Sequence, residues 1–432
     1  MTPEVKKFIE DNICLIENNE FQKMYNIALC KLSCDQIVEL DEILLNTDIY
    51  KDRYIPFYFS SHRIRQIKCY NVGFGDCFLC KNIADDNAKM LVDCGKHKSK
   101  PSSDVIKDIC KEFQNVKRTY LILSHLHSDH YSGLEEIFKV QPSLKFNEVY
   151  LPNYIANGSL ELYAEMIFQA PDSNLGKMAR AVLQIPSIFY ENLNNGSKIH
   201  FLSEGGKVFN YLCAFEALLP RKNNSRRIFN DPALIKEFCE AYKQIIGYEE
   251  NESGDVVVTI NSEQNVSERL KALLAEIPQK ELPAIDKKEV DELKKRFKNH
   301  HNELSLAFHE LYVENEKNVL FLGDAEKKNV QYLAKGKLKG NYCFVKVQHH
   351  GTKNYFCNQL PPSKYCVISN GKEKDSWEIS GLYDAHYAGK TKLVCINNSN
   401  CELLKNGVCC DSKTYHSAMC GSSHFFEEID II

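Results

Sequence analysis

The segment "LILSHLHSDHYSGL", residues 121–134, sets His125, His127, Asp129 and His130 within six positions. Imidazoles and a carboxylate in one short stretch form a donor set suited to Zn, Mn or Fe, with no thiolate required. An apolar run leads into it, and residues i and i+2 of an extended chain face the same side, so His125 and His127 can offer two rings to one ion. Asp129 and His130 fall where the chain turns into a helical stretch near "SGLEEIF". Adjacent residues there point in different directions and can address a second ion beside the first. The alternative is a group of surface polar residues capping that helix, with Ser128 or Asp129 as the N-cap.

Two later apolar runs also end in ligand-type residues. "NVLFLGDAE" closes on Asp324, and "FVKVQHH" closes on His349 and His350. Taken singly, Asp324 reads as a turn aspartate and the histidine pair as surface residues. Beside the first segment they read as ligands delivered by the ends of separate strands. Asp76 and Asp93 follow the same logic, with turn or hairpin aspartates as the alternative. For Asp93 the preferred role is to accept a hydrogen bond from behind a ligating histidine. Gly73, Gly75 and Gly95 are expected to serve tight backbone geometry.

Positioning such groups requires strands. From about residue 66 the chain shows short apolar or alternating runs bounded by Gly, Asn and Asp: "QIKCYNV", "DCFLCKNI", "KMLVDCG", "TYLILSH", "NEVYLPNY". Helical segments such as "DVIKDICKEFQNV" and "GLEEIFKVQ" lie between them, which predicts a mixed α/β (α+β) fold with sheets covered by helices. Residues 1–65 have helical periodicity and are expected to form an N-terminal helical extension. Residues 66–432 are expected to form the main domain, with a charged helical insertion at about 221–300.

The bulk properties exclude several classes. Of 432 residues, 44% are hydrophobic and 26% charged, which suits a folded globular chain, and the net charge of −4 excludes a uniformly basic nucleic-acid coat. The first residues lack a secretory apolar core, and no window approaches the roughly 20 apolar residues of a membrane helix. A cytoplasmic protein with no membrane partner is expected. The 18 cysteines are expected to be mostly reduced thiols. Cys401, Cys409, Cys410, His416, Cys420 and His424 could assemble a further zinc site, although their spacing fits no familiar finger.

H-x-H-x-D-H after an apolar strand resembles the signature of the metallo-β-lactamase fold superfamily. "NVGFGDCFLC", "KMLVDCG", "NELSLAFHELYVENEKNVLFLGDAE" and "VKVQHHGTKN" resemble, in that order, the branch containing the metallohydrolase domain of ComEC/Rec2-type DNA-uptake proteins. The resemblance runs over residues 66 to about 370. It implies an αββα sandwich holding two divalent ions, Zn first and Mn as the alternative. It further implies that Asp324 bridges the ions and that His349 or His350 completes the second site. With His349 taken as the ligand, His350 is left to donate a proton or bind an oxyanion, and Asp129 or Asp324 to orient the attacking water. One departure stands out. Many members supply a third histidine to the first metal from an intervening loop, and no clear equivalent appears. His200 lies in an apparent strand, and His300 and His301 precede Asn302 and Ser305, which match an Asn-x-x-Ser pattern of the ComEC-like branch. A weakly held or partly water-ligated first ion is therefore expected.

The resemblance favours a phosphodiester substrate, a nucleic acid or a nucleotide, with Asn302, Thr352 and Lys353 as its contacts. The basic runs "PRKNNSRR" and "KKEVDELKKRFKNHH" could flank a cleft or be solvated faces. Two alternatives remain: hydrolysis of a lactone, thioester or β-lactam, which an apolar pocket would favour, and a binding or regulatory module with a degenerate metal site. In the latter the N-terminal helices would dock a protein partner.

Overall fold

A computed structural model of the chain describes residues 1–82, 85–156, 158–221, 232–248, 256–261, 264–276, 287–370, 382–387, 391–396, 415–416 and 426–431. Apart from the backbone of His416, the C-terminal Cys/His group lies outside the described residues, as does most of "PRKNNSRR".

The apolar runs form strands. β1 (Gln66–Tyr70), β2 (Cys77–Asn82), β3 (Asp85–Cys94), β4 (Arg118–Ile122), β5 (Glu148–Pro152) and β6 (Lys198–Leu202) follow one another across a first sheet. β7 (Lys207–Phe209) and β8 (Ala214–Leu219) belong to a second sheet, and β9 (Val256–Thr259) returns to the edge of the first. β10 (Ala307–Glu310), β11 (Val319–Phe321), β12 (Tyr342–Lys346), β13 (Ser363–Ile368), β14 (Lys392–Cys395) and β15 (Tyr415–His416) complete the second sheet, and β16 (Phe426–Asp430) pairs with β1. The sheet orders are β16-β1-β2-β3-β4-β5-β6-β9 and β15-β14-β13-β12-β11-β10-β8-β7. β3 to β6 run parallel, as do β11 to β15. Parallel strands buried on both faces read as continuous apolar text, which is why "TYLI" and "CFV" carry so few polar residues.

The period of two sorts side chains into layers. Phe78, Met90 and Ile122 of the first sheet meet Phe215, Phe308, Phe321 and Phe344 of the second in one core. Their neighbours Leu79, Leu91 and Leu121 face the other way, into helices that include Ser103–Glu112, Ser159–Gln169 and Asn174–Asn192. On the far side Leu320, Val345 and Ile368 pack with Val330 and Leu333 of the helix Lys327–Leu333. The result is helices, sheet, sheet, helices, the mixed α/β sandwich that the alternation of strands and helices predicts.

Five N-terminal helices between Pro3 and Ser61 share a core of their own and pack, through Ala214, Phe209 and Tyr312, on the β7–β8 side of the second sheet. The described part of 221–300 does not stand apart from the sandwich. Ile235, Tyr242, Leu270, Leu293 and Phe297 from its helices join the core over the first sheet, and β9 extends that sheet. The described cysteines with placed side chains are free thiols. No described helix is long and apolar enough to cross a membrane.

Candidate metal centre

Strand ends converge at one edge of the sandwich. β4 leads through Ser124 to His125 and His127, and the short helix Ser128–Tyr131 carries Asp129 and His130. This loop lies hard against Gly95 after β3, where a Cβ would come within 2.3 Å of the Asp129 carbonyl carbon and 2.4 Å of the His130 nitrogen. Only glycine allows that approach. β11 is followed by Leu322 and Gly323 before Asp324. Gly323 has φ +50°, and a Cβ there would press on Ser124 and the Leu306 carbonyl at about 3.2 Å. After β12 the chain passes through His349 (φ 49°) and His350 (φ 55°), consecutive left-handed residues of a kind concentrated at functional sites.

These ends bring together two groups. In the first, His125, His127 and His301 offer ligand-type atoms all within 4.8 Å of one another. His125 Nε2 lies 2.8 Å from His127 Nδ1, and the His301 ring centroid is 4.8 Å and 4.2 Å from those of His125 and His127. The outward nitrogens are taken: Ser305 Oγ lies 3.3 Å from His125 Nδ1, and the Tyr163 hydroxyl bonds His301 Nδ1. Ser305 Oγ also accepts the Asp324 N–H at 3.1 Å, tying the first group to the aspartate.

His301 was absent from the ligands expected from sequence, where the first ion lacked a third histidine. It arrives on the helix Lys287–Glu303, in the region read as an insertion. Leu293, Phe297 and His301 lie four residues apart on the buried face of that helix, so the stripe that docks it on the sheet also turns His301 inward. The apolar spacing leading up to His301 was the available signal. His200 pairs instead with Glu148 at 2.7 Å.

The second group contains Asp76, His130, Asp324 and His350, and Asp129 lies against His350. His130 Nε2 is 3.4 Å and His350 Nε2 3.5 Å from Asp324 Oδ1, and His350 Nε2 is 3.3 Å from Asp129 Oδ2. Asp76 belongs to the same neighbourhood, within 4.8 Å of His130, Asp324 and His350. These separations lie at the long edge of hydrogen bonding. They match ligand atoms sharing a tetrahedral ion, which at about 2.1 Å from the metal stand roughly 3.4 Å apart. His130 Nε2, His350 Nε2, Asp324 Oδ1 and His301 Nε2 are all buried without a hydrogen-bond partner. Buried polar atoms are rarely left so, and a cation would satisfy all four. The residues present fit divalent ions.

Electrostatics separates the groups. Burial, reinforced by neighbouring imidazoles, holds His125 and His301 well below the usual histidine range, and burial brings His127 down to about 4. In the second group burial also pulls downward but is outweighed: Asp93 and Asp324 hold His130 well above its ordinary value, and Asp324 and Asp76 lift His350 to about 9. Asp324 and Asp129 are depressed in spite of burial, Asp324 chiefly by His349 and His350 and Asp129 by the nearby His350 and by His130.

The remaining expected residues fall as follows. Asp93 accepts from Ser124 N–H at 2.7 Å and lies 2.9 Å from His130 Nδ1. His349, expected as a ligand, stands outside the second group. Its Nδ1 is 3.4 Å from Asp324 Oδ2 and its ring stacks on Tyr355 at 3.5 Å, while the left-handed turn carries His350 inward. Thr352 is buried and donates its hydroxyl to the His349 carbonyl at 3.0 Å. Lys353 is exposed and does not border the cavity over the two groups, whereas Asn302 does. That cavity, about 820 Å³, has an apolar flank of Phe74, Leu126, Leu175, Met178 and Ala181, and is also bordered by the exposed Lys177 and Lys298.

No protein-family model matches the sequence, and no curated protein matches it. Among solved structures it is similar to a long form RNase Z from yeast, at 12% identity and a TM-score of 0.26. The match covers 85% of this chain and 41% of the RNase Z chain. A likeness that loose carries no argument about activity.

Proposed function

We propose that this chain is a dinuclear metal-dependent hydrolase of the metallo-β-lactamase type that cleaves phosphodiesters. The observation that supports it most is the 3.3–3.5 Å spacing of orphaned nitrogens and carboxylate oxygens around Asp324, beside a three-imidazole group. In this reading His125, His127 and His301 hold one ion, Asp129, His130 and His350 hold the other, and Asp324 lies between. Two such ions, Zn first and Mn as the alternative, would activate a water and polarise the scissile phosphoryl group. The Asp129 oxygen not turned to His350 orients that water by accepting its hydrogen bond. His349, pushed toward the neutral form by burial and stacked on Tyr355 beside the cavity, would offer a ring N–H as a hydrogen-bond donor to the leaving oxygen, whose proton then comes from solvent. Lys177 and Lys298 supply the cationic border that a phosphate needs, and Asn302 a polar contact.

The test is turnover of bis-p-nitrophenyl phosphate, single- and double-stranded DNA and cyclic nucleotides with Zn or Mn, with His127→Ala as control. Cleavage lost in the control supports the reading; a protein holding two ions that cleaves none of them overturns the phosphodiester assignment. The apolar flank of Phe74, Leu126, Leu175 and Met178 favours a second reading, hydrolysis of a lactone or thioester. Parallel assays on those substrates decide between the two.

A further inference from the structure

We infer that Asp76, clamped by Lys346 and Ser369, is a positioning residue that sets which nitrogen of His350 faces the second ion. The inference rests on the two-ion reading above.

Each histidine of the second group has a carboxylate behind it. Asp93 lies 2.9 Å from His130 Nδ1, and Asp76 Oδ1 lies 3.3 Å from His350 Nδ1, while both Nε2 atoms face Asp324. A carboxylate on Nδ1 fixes the proton there and leaves Nε2 with its lone pair toward a metal. Asp76 could instead be taken as a ligand, since it lies within 4.8 Å of His130, Asp324 and His350. Its oxygens argue otherwise: Oδ1 accepts the Ser369 hydroxyl, Oδ2 is paired with the Lys346 ammonium, and both approach imidazoles from the Nδ1 side.

Lys346 makes this more than a single contact. It ends β12, is 1% exposed, and also donates to the Gly323 carbonyl at 3.2 Å. Gly323 immediately precedes Asp324, so one ammonium joins the carboxylate behind His350 to the turn that presents the shared aspartate. The Asp76 backbone adds a third tie: its N–H donates to the Asp129 carbonyl at 3.0 Å, and its carbonyl accepts the Gly95 N–H at 3.0 Å. Asp76 is thus fixed to the segments carrying Asp129, Asp324 and His350. Burying an ammonium is costly even when it is paired. Here the pair lies where a small rotation of His350 would move a ligand atom.

The full-length protein, reconstituted with Zn, tests this. Metal content is measured by elemental analysis, affinity by competition with a chromophoric chelator, and the His350 tautomer by long-range ¹H–¹⁵N correlation. The double variant Asp76→Ala/Lys346→Met removes the acceptor without leaving an unpaired buried charge. It should weaken the second ion about 10- to 100-fold and leave the first unchanged. Lys346→Met alone should do likewise, Lys346→Arg should stay within a few-fold of wild type, and His350 should carry its proton on Nδ1 only where Asp76 is in place. Wild-type affinity for the second ion in both methionine variants would overturn the inference, as would equal loss of both ions in folded Lys346→Met. If the double variant does not fold, Lys346→Met against Lys346→Arg and the wild-type tautomer decide. A wild-type protein that holds fewer than two ions defeats the two-ion reading itself, an outcome seen before any variant is made.

Discussion

The His125/His127/His301 group consists of imidazoles alone, whereas His130 and His350 sit among Asp76, Asp93, Asp129 and Asp324. Burial dominates in the first group and keeps its rings neutral. In the second the carboxylates overcome burial and draw protons onto the rings. The two groups are therefore prepared differently: an ion entering the first would displace no proton, while one entering the second would have to remove protons from His130 and His350. On the two-ion reading, two ions of one charge would be held with distinct affinities by the two groups.

The comparison breaks most completely at the residue both groups share. Asp324→Asn should reduce hydrolysis to below about 1% of wild type, because replacing even a group behind a ligand commonly costs 10- to 100-fold. Rates at saturating Zn measure this, and a variant retaining a tenth of the activity would show that Asp324 links nothing. Asp93→Asn should fall next, weakening the second ion by about 10- to 100-fold and leaving the first alone. Chelator competition reads both steps, and an equal effect on the two would place Asp93 in the general packing.

A pH titration sharpens the contrast with the smallest intervention. His350 in the ion-free protein is raised to about 9, so below that value a proton competes with the metal. Affinity for the second ion should rise by at least about tenfold per unit between pH 6.5 and 9. His127 is lowered to about 4, so affinity for the first ion should be flat over that range. The sign for stability follows: a histidine with a raised folded pKa stabilises the ion-free fold below its unfolded pKa of about 6.5, and that contribution disappears as pH rises through 9. Thermal denaturation of the chelated protein should show the loss, and the Zn-loaded protein should not.

Much of this was legible in the sequence because strands advertise themselves. Alternating and continuous apolar runs mark β3, β4, β11 and β12, and ligand-type residues at their ends stand out against such text. What escaped depended on register that only packing sets. His301 comes from a helix, and its inward direction follows once Leu293 and Phe297 dock. That His350, not His349, lies with His130 and Asp324 depends on two left-handed residues that nothing in "VQHHG" demands. Lys346 was hidden inside the apolar run "CFVKV", where a lysine reads as a strand-edge charge until its burial against Asp76 is seen.

Zn content of the purified wild type, His301→Ala and His350→Ala tests the central claim most directly. Two positions, one per group, predict two ions in the wild type and one in each variant. In His301→Ala the remaining ion should keep the steep pH dependence, and in His350→Ala it should be insensitive to pH. Two ions in either variant, or none in both, would contradict the account.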